Sequence, residues 1–214
     1  MPNSAPAPFV ILDTLRARIF RAPAGVPVLL RETEIAKEFG LSRTPIRQVL
    51  QTLAYEHLLE TRMGVGSVAP PLDPATRRDD FDAYAQVTLA AARMKSNVIT
   101  PDTKMTLAGV AQLARSETTR DVDFFINVSV RSANALADVI TNQIVADAFR
   151  AARWKVVRWR VQDLRANPQA FWDMTAQTLT RMANAVESDD PALLMEVAAG
   201  IIVDLSTPIE AAET

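Results

Sequence analysis

Two arginines, a serine, a threonine and a glutamine crowd the front of the stretch LSRTPIRQVLQTL, residues Leu41–Leu53. Ile46, Val49, Leu50 and Leu53 fall at i, i+3, i+4 and i+7, which predicts a helix with one buried face. Ser42 stands where an N-cap belongs, and Pro45 is tolerated in a first turn, where no intrahelical N–H is lost. Arg43, Thr44, Arg47 and Gln48 lie off the stripe. The exposed first turn therefore gathers guanidinium, hydroxyl and free backbone N–H groups. Such a set can contact phosphates and grip the guanine edge in a major groove.

The elements that must position this turn are close by. Glu32–Phe39 is helical in pattern and stops at Gly40, a left-handed cap in expectation, so a short turn joins two helices in the helix-turn-helix arrangement. Upstream, a helix over Phe9–Arg21 carries apolar residues at 12, 15 and 19 and is broken by APAGVPV. Downstream, LLETRMGVGSVAP changes period around Gly64 and Gly66 and is expected to form a β-hairpin, a wing able to approach a neighbouring groove.

These residues carry a specific resemblance. The segment 30–68 resembles the winged helix of the GntR family of bacterial transcription regulators, with S-R-T-P-x-R matched at Ser42, Arg43, Thr44, Pro45 and Arg47. The resemblance implies double-stranded DNA as partner. Arg43 and Arg47 would read bases or clamp phosphates, Ser42 and Thr44 would bind phosphates, and Gly64 and Gly66 would let the wing tip enter the groove. Gln48 and Arg62 complete the expected contact set. Gln48 stands for the family's usual Glu and His57 for its usual Gly.

The whole chain has 214 residues, six glycines and no cysteine. The low glycine count points to a mostly helical protein, and the lack of thiols excludes disulfides and thiolate metal sites. Residues 1–70 hold eight Lys/Arg against six Asp/Glu, and the remainder fifteen against nineteen, so the cationic side is the N-terminal one. No apolar run approaches the ~18 residues of a membrane span, so a cytoplasmic protein with no membrane association is expected. The organisation expected is a disordered tail over 1–8, a winged helix-turn-helix domain of three helices and a hairpin over 9–70, a Pro-rich linker over 71–75 and an all-α bundle over 76–214. Bundle helices are expected at 75–98, 102–117, 121–136, 137–164, 168–188 and 191–205.

A helical domain after such a head resembles the FadR-like, or FCD, subfamily, whose bundle binds a small carboxylate effector, often through a metal held by an aspartate and three histidines; for this chain a hydrophobic or carboxylate effector is expected. Asp121 and Asn134 fall at that subfamily's aspartate and asparagine positions, but Phe125, Leu179 and Ile201 occupy the three histidine positions. No metal and no cofactor are expected. Either the cavity persists as an apolar effector pocket around these residues, or it has filled and the bundle serves dimerisation.

The basic stretch RAARWKVVRWRVQDLR (150–165) has two readings as well. It is an amphipathic helix with packed tryptophans and arginines paired to Asp147 and Asp163, or it contacts a polyanion or an anionic effector through Arg150 or Arg153. With one histidine and no paired-carboxylate constellation, no catalytic residue is expected. The expectation is a DNA-binding regulator, a homodimer with a possible small-molecule effector and no enzyme activity. Its alternative is a ligand-binding or protein-interaction helical protein with a vestigial winged head.

Overall fold

A computed structural model describes residues 7–63, 66–116 and 120–211. Helix α1 (Pro8–Arg21) opens with a proline, whose missing N–H costs nothing at a helix start, and buries Ile11, Leu15 and Ile19. Ile11 thus takes the inward place expected for Leu12, and the helix begins one residue inside the tail expected over 1–8; residues 1–6 of that tail lie outside the described residues. Helices α2 (Glu32–Phe39) and α3 (Arg43–Tyr55) follow, and the α3 stripe Ile46, Val49, Leu50 and Leu53 is buried as its spacing predicts.

The hairpin strands β2 (Glu60–Arg62) and β3 (Gly66–Ala69) are joined by a strand absent from the sequence reading, β1 (Val28–Leu30). The three form an antiparallel sheet in the order β1-β3-β2, with Leu29 opposite Val68 and Arg62 opposite Gly66. Three residues after a proline are too few to display a period of two. β1 exists through its pairing with β3, far away in sequence.

Two helix ends in this unit use the same bond pattern with different residues. After α2, the Leu41 N–H reaches Ala36 O at 2.9 Å and Gly40 N–H reaches Lys37 O at 3.3 Å, with Gly40 at φ 64°. After α3, Leu58 N–H reaches Leu53 O and His57 N–H reaches Ala54 O, both at 3.0 Å, with His57 at φ 57°. Both are Schellman turns, which need a left-handed residue. The second turn stops α3 at Tyr55 and drops Leu58 into the core. Beside it, the buried Glu56 carboxylate accepts from Nε of Arg16 at 2.9 Å and also pairs with the Nη2 group of that arginine, tying α1 to the end of α3.

The chain divides into Met1–Asp73 and Pro74–Thr214. The second unit opens with a 3-10 turn, Pro74–Thr76, so the first bundle helix α4 spans Arg77–Ala92 rather than 75–98. Asn97 marks its end: the buried side chain donates to Ala91 O at 2.8 Å and accepts from Thr141 N–H at 3.3 Å. Helices α5 (Pro101–Ser116), α6 (Val122–Val139), α7 (Gln143–Ala166), α8 (Pro168–Val186) and α9 (Pro191–Asp204) complete the bundle. The break between α6 and α7 falls at 140–142, not 136/137, because Asn142 caps α7 through Val145 N–H. Asn167 and Asp190 cap α8 and α9 likewise, each followed by the proline that starts its helix. α4 packs on α7 and α9, and α5 on α6 and α8. Phe125, Phe171 and Trp172 form an edge-to-face cluster at centroid distances of 4.8, 5.4 and 6.4 Å.

A left-handed L-residue costs about 1–2 kcal/mol, partly offset by its lower chain entropy than glycine. His57→Gly is therefore expected to stabilise the N-terminal unit by about 1 kcal/mol. Native-state hydrogen exchange at the Ile46 and Leu50 amides checks this: the variant should exchange about fivefold more slowly.

Candidate DNA-reading surface and bundle pocket

The first turn of α3 is assembled by its neighbours. Gly40 turns the chain sharply after α2, and the α3 stripe seats the helix so that Ser42, Arg43, Thr44, Arg47 and Gln48 are all exposed. Ser42 occupies the N-cap in extended conformation, yet its hydroxyl makes no capping bond, so the first-turn N–H groups are left for an incoming acceptor. Arg43 and Arg47, one helical turn apart, converge on one carboxylate. Arg43 Nε donates to Glu32 Oε1 at 2.7 Å, while Arg47 donates from Nη2 to Oε1 at 3.1 Å and from Nε to Oε2 at 3.2 Å. Glu32 opens α2, so the two helices of the motif are fastened at the end that carries the arginines. The sequence reading had not picked out this residue. An acid at the start of one helix facing an i, i+4 arginine pair on the next was the available signal.

On the wing, Arg62 lies exposed on β2, 3.3 Å from Glu60, and pairs in register with Gly66. Gly66 sits at φ 115°, a conformation open to glycine alone without strain. Gly64 lies outside the described residues. Met63, next to it, is wholly exposed.

In the bundle, Phe125, Leu179 and Ile201 line one pocket of about 120 Å3. Asp121 and Asn134 do not join them. Asp121 is the N-cap of α6, accepting from Phe124 N–H at 2.8 Å, and Asn134 is exposed on another face beside Thr103 and Arg131. Nothing in the pocket wall is a histidine or a carboxylate. Its charged members are Arg153 and Arg160, with Tyr84, Ser132 and Thr178 supplying hydroxyls.

Of the basic stretch 150–165, Arg153, Arg158 and Arg160 are buried with both tryptophans, while Arg150 stays at the surface, 3.3 Å from Asp147. Arg153, Val156, Val157 and Arg160 share one stripe of α7. Two arginines in an otherwise apolar i, i+3, i+4, i+7 pattern were the signal for Arg160, which the sequence reading passed over. Arg160 donates to Asp163 at 2.9 Å and stacks 4.4 Å from the Phe171 ring. Burial pushes its guanidinium down to about 10, against the opposing pull of Asp163, so it stays cationic at neutral pH. Burial likewise raises the Tyr84 phenol to about 12, keeping it a neutral donor.

Hydrogen bonds from Arg47 and then Arg43 hold the Glu32 carboxyl below its usual 4.5. A group depressed in the folded state stabilises above its unfolded pKa, and that contribution disappears as pH falls through the folded pKa. The clamp should therefore be complete above pH 4.5 and open only below it. Carbon-detected NMR titration of the Glu32 side chain should give a midpoint under the usual value, returning towards it in the Arg43→Ala/Arg47→Ala double variant.

Comparison with known proteins places this geometry. Residues 10–68 match the family described as bacterial regulatory proteins, gntR family. Over 59 residues the chain is 41% identical to a Paenarthrobacter nicotinovorans protein described as a probable D-xylose utilization operon transcriptional repressor. That match covers 28% of this chain and 24% of the relative, so the chain aligns with only about a quarter of that protein. The E. coli protein McbR/YncC shares the fold at a TM-score of 0.63 and 17% identity, over 92% of this chain and 93% of its own. A GntR transcriptional regulator structure from Rhodococcus sp. RHA1 does so at 0.62 and 13%, over 93% and 95%. At such identities the likeness concerns the fold, and it extends through the helical bundle. The likeness to the gntR family of bacterial regulatory proteins is thus carried by the winged helix-turn-helix of this chain, residues 10–68.

Proposed function

We propose that this chain is a sequence-specific DNA-binding transcription regulator that works as a homodimer. In this reading its bundle is of the FadR-like type and takes a small effector without a metal. The observation that carries the DNA reading is the exposed first turn of α3, where Arg43 and Arg47 are held side by side by Glu32 beside a winged sheet. On DNA the two guanidiniums exchange the Glu32 carboxylate for guanine N7/O6 or phosphate oxygens, geometry that a planar fork suits. Ser42, Thr44 and the free first-turn amides fix the helix on the backbone, Gln48 faces the same groove, and Arg62 with Gly66 carries the wing.

A single head presents few base contacts, which supports pairing: two heads on a pseudo-palindrome with half-sites roughly one helical turn, ~34–36 Å, apart reach useful specificity. The family match and the repressor role described for the Paenarthrobacter relative support a regulator over an enzyme. His57, the chain's one histidine, stands exposed at a helix end, and among the described residues no three His, Asp or Glu side chains converge as a metal site would require. No helix among the described residues is long and apolar enough to cross a membrane, in keeping with a cytoplasmic regulator. For the bundle, the support is the pocket that joins Phe125, Leu179 and Ile201, each an apolar side chain where the subfamily holds metal.

The test is selection of a duplex from a randomised pool, followed by fluorescence anisotropy at several salt concentrations and sedimentation of the complex. Arg43→Ala and Arg47→Ala should each weaken binding by ~1–3 kcal/mol on the selected duplex. The complex should contain two chains per duplex. Equal binding by wild type and both variants would refute the DNA reading, and one chain per site would refute the dimer.

A further inference from the structure

We propose that the cleft between α3 and the three-stranded sheet seats one phosphate of the DNA strand that divides the major from the minor groove, held by the uncharged donors Gln51, Thr61 and Ser67. The inference rests on the DNA reading above and adds a backbone site that neither the first turn of α3 nor the tip of the wing includes.

Two rows of side chains build the cleft. On α3, Arg47, Leu50, Gln51 and Ala54 fall at i, i+3, i+4 and i+7, one stripe of the helix. On the sheet, Ser67 stands opposite Leu30 of β1 and Thr61 of β2, so these three share one face. Both rows, with Glu32 and Gly66, line a cleft of about 290 Å3. Its floor is apolar, with Leu30 and Leu50 buried, and its rim is polar, with Gln51 and Thr61 exposed and Ser67 half-buried. Among the described residues none of these three polar side chains has a hydrogen-bond partner. Thr52, next along α3, differs: its hydroxyl donates to Gln48 O at 3.1 Å. One amide and two hydroxyls are thus left to a shared ligand.

Groove geometry names that ligand. Adjacent grooves of B-DNA are divided by a single sugar–phosphate strand. A protein with a helix in one groove and a hairpin against the other must let that strand pass between the two elements, and the cleft is the passage. Three groups able to donate suit phosphate oxygens, which only accept. Glu32, the one carboxylate in the wall, is covered by Arg43 and Arg47, so two cations against one anion leave the rim positive. The donors themselves are neutral. They hold a phosphate without displacing a counterion, so their share of the binding survives salt that weakens the arginines. Held at this point, the strand fixes how α3 and the wing sit in their grooves. The three residues position the head and read no base.

The experiment starts from the selected duplex that wild type binds and the Arg43→Ala/Arg47→Ala variant does not. Methylphosphonates replace its phosphates one position at a time, and anisotropy reads the affinity of the full chain. In each half-site one position, between the bases under α3 and the groove approached by the wing, should cost wild type about tenfold. A Gln51→Met/Thr61→Val/Ser67→Ala variant should bind the unmodified duplex about tenfold more weakly, then lose less than about threefold more to that methylphosphonate. Its loss should be the same on duplexes with altered bases. The slope of log affinity against log salt should stay within ~0.5 of wild type, where one lost cationic contact moves it by ~0.9. Ser67→Thr, which keeps the hydroxyl, should bind as wild type does. Thermal midpoints check the folds, and Ser67→Ala alone repeats the cycle with the smallest change to the sheet. Wild-type affinity in the triple variant, no methylphosphonate whose cost that variant removes, or a salt slope moved by ~0.9 would overturn the seat while the regulator reading stands. Recovery of no duplex at all would overturn both.

Discussion

The bundle depends on the bidentate pair between Arg77 and Asp163. One guanidinium, 7% exposed, joins the start of α4 to the last turn of α7 through the carboxylate and to the turn after α9 through three carbonyls. The Phe81 and Trp159 rings flank it at 5.0 and 5.6 Å, so the charge sits between aromatic faces as well as against its partner. Such a pair is a poor source of net stability, because desolvation consumes most of its attraction, but an uncompensated partner costs about 3–5 kcal/mol. Its effect is therefore on uniqueness: only the register of α4, α7 and α9 that satisfies both groups is tolerated. Asp80 extends the same logic one turn along α4, taking Lys155 at 3.2 Å and the Trp159 indole N–H at 3.0 Å.

The two units use arginine for opposite ends. In the head, Arg43 and Arg47 are more than half exposed, and their carboxylate partner stands at the surface, where each bond is weak and exchangeable. In the bundle, Arg77 and Arg160 are buried, and their bonds resist exchange with water. The same side chain serves as a hand held open and as a rivet, and the difference is dielectric.

The features legible in the sequence were those set by local spacing. The α3 stripe, the left-handed Gly40 and the prolines that start α5, α8 and α9 follow from periods and backbone rules within a few residues. β1 was hidden because three residues show no period and its partner lies some forty positions on. The true break between α6 and α7 was missed because Val139 and Ile140 prolong an apolar pattern that only the Asn142 cap interrupts. Phe125, Leu179 and Ile201 could be grouped by resemblance. Asp121 and Asn134 were grouped with them but face elsewhere, one serving its own helix end. The Arg77 arm of the Arg77–Asp163–Arg160 cluster was out of reach, since it joins residues 86 positions apart, whereas the local pairing to Asp163 within 150–165 was legible.

In the DNA reading proposed above, the Glu32 clamp would bear on selectivity among competing sites. A surface with two free guanidiniums is drawn to any phosphate, and a genome offers ~10⁶–10⁹ irrelevant positions. Glu32 sets a threshold against that attraction: an arriving group must displace a carboxylate that both arginines already share. A lone phosphate oxygen gains little by the exchange, whereas a guanine edge presenting two acceptors in the plane of the fork matches what is given up. In the DNA reading proposed above, the acid would lower affinity everywhere and lower it least where the right base pair stands. A residue that never touches the duplex can in this way sharpen the contrast between one address and all the others.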